Sequence, residues 1–200
     1  ILKMLESENS FTKIVDDILK DACEYLGIST GALLRENQEQ KTVDMICEYA
    51  GGGREPQMAK EQGVPKEELP FFNGKPYMIS SDSMLPEGFA RLFAQKNLTS
   101  AVFLPVEVNG HTGMYLCFCE NEKKRKWEIA DIKFINDVKR IIQTILTKRI
   151  TKNSLASSYA SLEAILENVG CAIYVRDPQT GHILYANEKY QKFFKKTLEE

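Results

Sequence analysis

Five cysteines and two histidines are the side chains best suited to nucleophilic or metal chemistry, and their spacing limits what they can do. Cys117 and Cys119 lie two apart in an apolar run, so a strand would place both thiols on one face. Zinc wants further ligands at set spacing, and His111 and His182 fall in expected turns, so no metal centre is assigned. The same placement leaves no Ser/His/Asp or Cys/His constellation, and no catalytic residue is assigned. Cys23 falls on a helix pattern, Cys47 on a strand pattern and Cys171 at a strand start. An odd count without framework spacing reads as buried, reduced thiols of a cytoplasmic protein, with no disulfide.

Two other runs invite chemistry and lack its full pattern. Gly51-Gly52-Gly53 has neither Gly-x-Gly-x-x-Gly spacing nor the Lys-Ser/Thr of a phosphate loop, so it reads as a flexible exit from a strand. Lys123-Lys124-Arg125-Lys126 is the densest basic run, but it stands alone between a strand and a helix. It reads as a solvated connector, and nucleic acid is not an expected partner.

The chain has 200 residues, of which 43% are hydrophobic and 27% charged, the balance of an ordinary globular protein. A formal net charge of -2 gives no bias toward polyanions or an anionic membrane surface. Ala101 to Val106 and Met114 to Cys119 are far too short to span a bilayer, so no membrane contact is expected of this segment. The chain opens at Ile1 and stops at Glu200 inside a pattern, which reads as a segment of a longer protein.

The elements follow from periodicity. Phe11, Ile14, Val15, Ile18, Leu19, Ala22 and Leu26 predict a helix over 11–26, with Ser10 as N-cap and Gly27 as its stop. Leu2 and Leu5 read as the tail of a separate upstream helix over 1–9. Thr30 to Glu36 and Thr42 to Tyr49 read as strands joined by a polar hairpin loop. Residues 54–75 hold Pro56, Pro65 and Pro70, with Phe71 and Phe72 as apolar anchors. A short strand over 77–80 and a short helix over 88–95 come next. Ser100 to Val108 and Gly113 to Cys119 flank Asn109-Gly110, a strong hairpin signal.

Between Met114 and Val169 there is neither Gly nor Pro, and Glu128 to Asn168 reads as one long helix. Phe134, Val138, Ile141, Ile145, Lys148, Lys152, Leu155, Tyr159, Leu162, Leu166 and Val169 alternate at steps of four and three. Nine of these eleven positions are apolar or aromatic, which predicts a coiled-coil seam between two parallel copies of the chain. A second stripe, Ile135, Ile142 and Leu146, is free to pack on the chain's own sheet. Beyond the helix, strands at 172–175 and 182–185 and a helix at 187–194 are expected.

The run Asn97 to Val106, then Asn109-Gly110, Gly113 to Leu116, and Lys126-Trp127-Glu128-Ile129-Ala130-Asp131-Ile132, resembles the C-terminal half of a GAF domain. The run Leu162 to Val169, then Ile173 to Asp177, then Gly181 to Asn187, resembles the start of a PAS domain, with its Asp-x-x-x-Gly-x-Ile-x-x-x-Asn layout. The resemblance implies an α+β chain: a GAF domain over 10–147 with an antiparallel sheet flanked by helices, a signalling helix over 148–168 and a truncated PAS start over 169–200. It also implies the sensory front of a bacterial signalling protein, with a diguanylate cyclase or histidine kinase as the absent output.

A GAF sheet commonly forms one wall of a small-molecule pocket, and the candidate lining is Tyr49, Phe71, Tyr77, Phe93, Phe103 and Tyr115, covered by residues 54–97. No cofactor is named. Cyclic-nucleotide-binding members carry Asn-Lys…Phe-x-x-x-Asp-Glu, whereas this chain has Asn121, Lys123, Trp127 and Asp131 followed by Ile132. Bilin-binding members attach the chromophore to a Cys usually followed by His, and no Cys here precedes a His. The rival readings are a ligand-free dimerisation scaffold of a histidine kinase or transcription regulator, and a free-standing GAF-fold redox enzyme.

Overall fold

A computed structural model describes residues 2–52, 63–80, 82–108, 110–121 and 123–194, with side chains from residue 11 onward. Asn109 of the hairpin turn, Gly53 and the first part of the proposed cover lie outside the described residues. The chain divides into two compact units, Ile1–Thr147 and Lys148–Glu200.

The first unit is built on one antiparallel sheet. Its strands are β1 (Thr30–Asn37), β2 (Thr42–Ala50), β3 (Val64–Pro65), β4 (Tyr77–Ile79), β5 (Ser100–Val108) and β6 (His111–Glu120), in the order β3-β2-β1-β6-β5-β4. β5 and β6 form the long hairpin that the Asn-Gly pair predicts, with Gly110 at φ +78°. Alternation along these strands sends side chains to two cores. Leu33, Val102, Leu104, Leu116 and Phe118 face one way, toward helix α1 (Leu2–Leu26) and the first half of helix α3 (Ile129–Asn168). Ala32, Leu34, Ala101, Phe103, Tyr115, Cys117 and Cys119 face the other. There they meet helix α2 (Glu87–Gln95) and Phe71 and Phe72 of the segment before β4. Gly31 lets α1 approach, because a Cβ there would meet the Cys23 Sγ at 2.8 Å.

Several expectations are corrected. Ser10 is not a cap: α1 runs unbroken from Leu2 to Leu26, so the tail and the first helix are one element. Arg125 is not a free, solvated connector residue but is half-buried. It donates to the Leu26 carbonyl at 2.9 Å, pairs with Asp131 at 3.1 Å and lies over the Trp127 ring. It thereby satisfies an orphan carbonyl at the C-terminus of α1.

The expected seam divides in two. Ile135, Val138, Ile142 and Leu146 form one buried stripe on the sheet, so Val138 belongs to the core rather than to an interchain contact. Phe134 stacks on Tyr25 at 4.4 Å, and Phe134 and Ile145 pack partly against the same core. Ile141, Leu155, Tyr159 and Leu162 are exposed, as is every residue from Thr151 to Ile165, while Leu166 is half-buried.

In the second unit, β7 (Tyr174–Arg176) pairs with β8 (Ile183–Ala186), followed by α4 (Glu188–Phe194). Asp177 accepts from the backbone N–H groups of Gln179 and Thr180, and its carbonyl accepts from Gly181, which closes the turn. Asn187 is fully buried. Its Oδ1 accepts from the N–H of Ile173 and Tyr190, and its Nδ2 donates to the carbonyls of Leu166 and Cys171.

Candidate functional site

The face of the sheet opposite α1 carries an apolar cavity of about 70 Å³. Leu34 and Val43 come to it from β1 and β2, Phe103 from β5, Cys119 from β6, Phe71 from the cover and Phe93 from α2. Among the described residues, Lys96, just past α2, is the one charged residue in its wall. Such a site selects by shape and apolar contact.

An aromatic cluster shapes the wall. Phe71 stacks on Phe103 at 3.9 Å between ring centroids, 11° from parallel, and Phe89 packs edge-on against Phe103 at 6.2 Å. Phe72 meets Tyr115 at 4.3 Å.

The six aromatic candidates separate into three groups. Phe71, Phe93 and Phe103 line the cavity. Tyr115 and Tyr77 belong to the same cluster without lining it: Tyr115 is fully buried beneath Phe71 and Phe72, and Tyr77 packs edge-on against Phe89 at 6.3 Å. Tyr49 is on the other face, with its hydroxyl donating to Glu24 of α1 at 3.4 Å. A β-bulge explains its place. Leu33 pairs with Cys47 and Leu34 with Met45, so Ile46 is extra and the parity of β2 reverses there. Leu34, Val43, Leu92 and Leu98 also line the cavity, and isolated aliphatic residues carry no sequence signal that separates lining from core.

Four thiols are buried and distributed over both faces of the sheet, whereas Cys171, expected to be buried with them, is exposed in the second unit because it precedes the short β7–β8 hairpin rather than a core strand. Burial pushes the Cys23 and Cys47 thiols up to about 12. Burial first, then the neighbouring Cys119 thiol, holds Cys117 well above the ordinary thiol range. The Sγ atoms of Cys117 and Cys119 are 3.1 Å apart. Protonated, buried thiols are poor nucleophiles, so this geometry does not favour a catalytic cysteine. Among the described residues no cluster of three or more His, Cys, Asp or Glu is arranged to hold a metal ion.

A second, polar cleft of about 110 Å³ lies where Gly51 and Gly52 leave β2, beside Ser29 and Glu120. The buried Glu120 carboxylate accepts from the Ser29 hydroxyl and from the Asn121 N–H at 3.0 Å. The Ser29 bond ties the residue before β1 to the end of β6.

Neither a family profile nor a curated protein matches the sequence. Solved structures do match in fold. The blue-light absorbing form of the Thermosynechococcus elongatus PixJ GAF domain superposes with a TM-score of 0.65 at 12% identity, covering 80% of this chain and 97% of that one. The photoproduct state of a GAF domain from Synechocystis sp. PCC6803 gives 0.63 at 12% identity, covering 72% and 98%. The phycoerythrobilin-bound GAF domain of a cyanobacterial phytochrome gives 0.63 at 8% identity, covering 76% and 93%. With its six-stranded antiparallel sheet between helices on one face and a cavity cover on the other, the chain has the GAF fold.

Proposed function

We propose that this chain is a sensory segment of a bacterial signal-transduction protein, in which the Ile1–Thr147 unit takes up a small apolar molecule. The observation that carries the reading is the two-faced sheet. Phe103 and Cys119 reach the cavity, while Val102 and Phe118, one residue away on the same strands, pack in the core shared with α1 and α3. Occupancy of the cavity therefore bears on the packing of the helix that leaves the domain.

The solved structures of this fold include bilin-bound domains, but their ligand does not transfer. A dry cavity of about 150 Å³ accommodates benzene, and the 70 Å³ here is about half that, far short of four pyrrole rings. The ligand class is a small, uncharged, largely apolar molecule. Downstream, the 169–200 stretch is read as the start of a PAS domain and the output as a diguanylate cyclase. The exposed stripe from Leu155 to Leu162 is read as the parallel dimer contact that carries the signal, in the cytoplasm. That stripe equally supports the second reading, a ligand-free dimerisation scaffold of a histidine kinase or transcription regulator.

Thermal-shift screening with small apolar molecules tests the pocket. A ligand at a hundredfold excess over its Kd adds ~2.7 kcal/mol of stability, and Leu34→Phe, which fills the cavity, is expected to remove the shift. Absence of any stabiliser, or ligand located away from the cavity, leaves the scaffold reading in its place.

A further inference from the structure

We infer that Cys117 and Cys119 form a dithiol chelate in the cavity wall that captures a small trivalent arsenical or a similarly soft trivalent centre. Both thiols project from β6 on the cavity side of the sheet, both are buried, and Cys119 lines the cavity itself. Their separation is the second, independent observation. A bridging atom with bonds of ~2.3 Å to sulfur subtends about 85° across 3.1 Å, whereas a tetrahedral zinc site holds its sulfurs roughly 3.8 Å apart. A near-right angle is the bond angle of a pyramidal trivalent centre, which needs only two protein ligands and keeps its third substituent. The adjoining cavity offers that substituent an apolar berth. Half-exposed Leu92, Lys96 and Leu98 mark its way in.

The capture needs no oxidant. An arsonous acid R–As(OH)2 meets two thiols: two As–O and two S–H bonds break, two As–S bonds form, and each thiol proton leaves with a hydroxyl as water. Arsenic remains trivalent throughout. The exchange releases each thiol proton in water, so it consumes no net base. The inference rests on the cavity of the proposed sensor, and it specifies what one part of the wall binds.

The test uses the native, reduced chain under anaerobic conditions with methylarsonous acid, followed by a monothiol wash and intact-mass measurement. The expected result is one retained CH3As group, less two hydrogens, per chain, lost in both Cys117→Ser and Cys119→Ser. Phenylarsonous acid is expected to react at least roughly tenfold more slowly, since a ring exceeds the cavity. Absence of an adduct on the native fold, an adduct formed only after denaturation, equal rates for methyl and phenyl, or an adduct surviving in either single variant would each overturn the proposal. Thermal-shift binding of small apolar molecules, measured on the same variants, separates its failure from failure of the pocket.

Discussion

The hydroxyl of Tyr115 accepts the backbone N–H of Gly74 at 2.6 Å, so a fully buried ring on β6 anchors the segment that covers the cavity. Gly74 sits at φ +81°, a left-handed conformation that glycine adopts without strain. Burial raises the Tyr115 hydroxyl above its ordinary value, with the bonds to the Gly74 and Asn73 backbone acting against that shift. Tyr115→Phe keeps the ring and strands the Gly74 N–H. Thermal or urea denaturation is expected to show a loss of ~1–3 kcal/mol. It should also weaken any cavity ligand, since the cover loses its fixed point. Unchanged stability would mean the cover is held by its phenylalanines alone.

The buried thiols set an alkaline limit. Cys23 and Cys47 ionise near pH 9 in the unfolded chain and are pushed up to about 12 in the fold, first by burial and next by Cys119 and Asp16 respectively. The folded state thus favours the neutral thiols. Their contribution is fully present below pH 9 and is lost as pH rises toward 12. Urea melts over that window should show stability falling, and Cys47→Ala should flatten the fall. An unchanged slope in that variant would place the titration elsewhere.

Much of the fold is legible in the sequence because its signals are local. The Asn-Gly turn, the alternation over 100–120 and the unbroken α3 each depend on residues close together in the chain. What escapes depends on distant partners. Tyr49 lies in phase with Val43 and Met45 in the sequence, and only the pairing with β1 introduces the bulge that turns it to the helix face. Arg125 belongs to a basic run until the end of α1, 99 residues earlier, meets its guanidinium. Val138 fits both the heptad frame and the core stripe, and the sheet claims it.

The second unit concentrates its order in one side chain. Asn187 uses its amide for four backbone bonds that tie α3, the stretch before β7 and α4 together. The final Asn of the motif thus has a structural task. Asn187→Ala leaves several buried backbone groups unpaired, and a loss of at least ~2 kcal/mol from the second unit is expected. Limited proteolysis should cut the 169–194 stretch faster while the melting of the first unit is unchanged. Equal protection in both proteins would show that the hairpin is held by other contacts.

The remaining prediction concerns the exposed stripe of α3. Leu155, Tyr159 and Leu162 are each more than half exposed, and every residue from Thr151 to Ile165 is exposed. Burying one such leucine contributes ~1.5–3 kcal/mol, so a parallel pair of helices gains substantially from covering the row. The first half of α3 offers a second copy less, because Val138 is in the core and Phe134 is stacked on Tyr25. Ile141 remains available there. The contact is therefore expected to centre on 155–166, with exposed Lys148 and Lys152 as a weak stretch between the two halves. Leu162→Glu places like charges face to face in the seam and should give a monomer by sedimentation at concentrations where the parent chain is a dimer. Lys148→Leu with Lys152→Leu should tighten the dimer and, in the full signalling protein, blunt its response, since a softer middle permits two packings of similar energy. A parent chain that sediments as a monomer at tens of micromolar would remove the basis for both expectations.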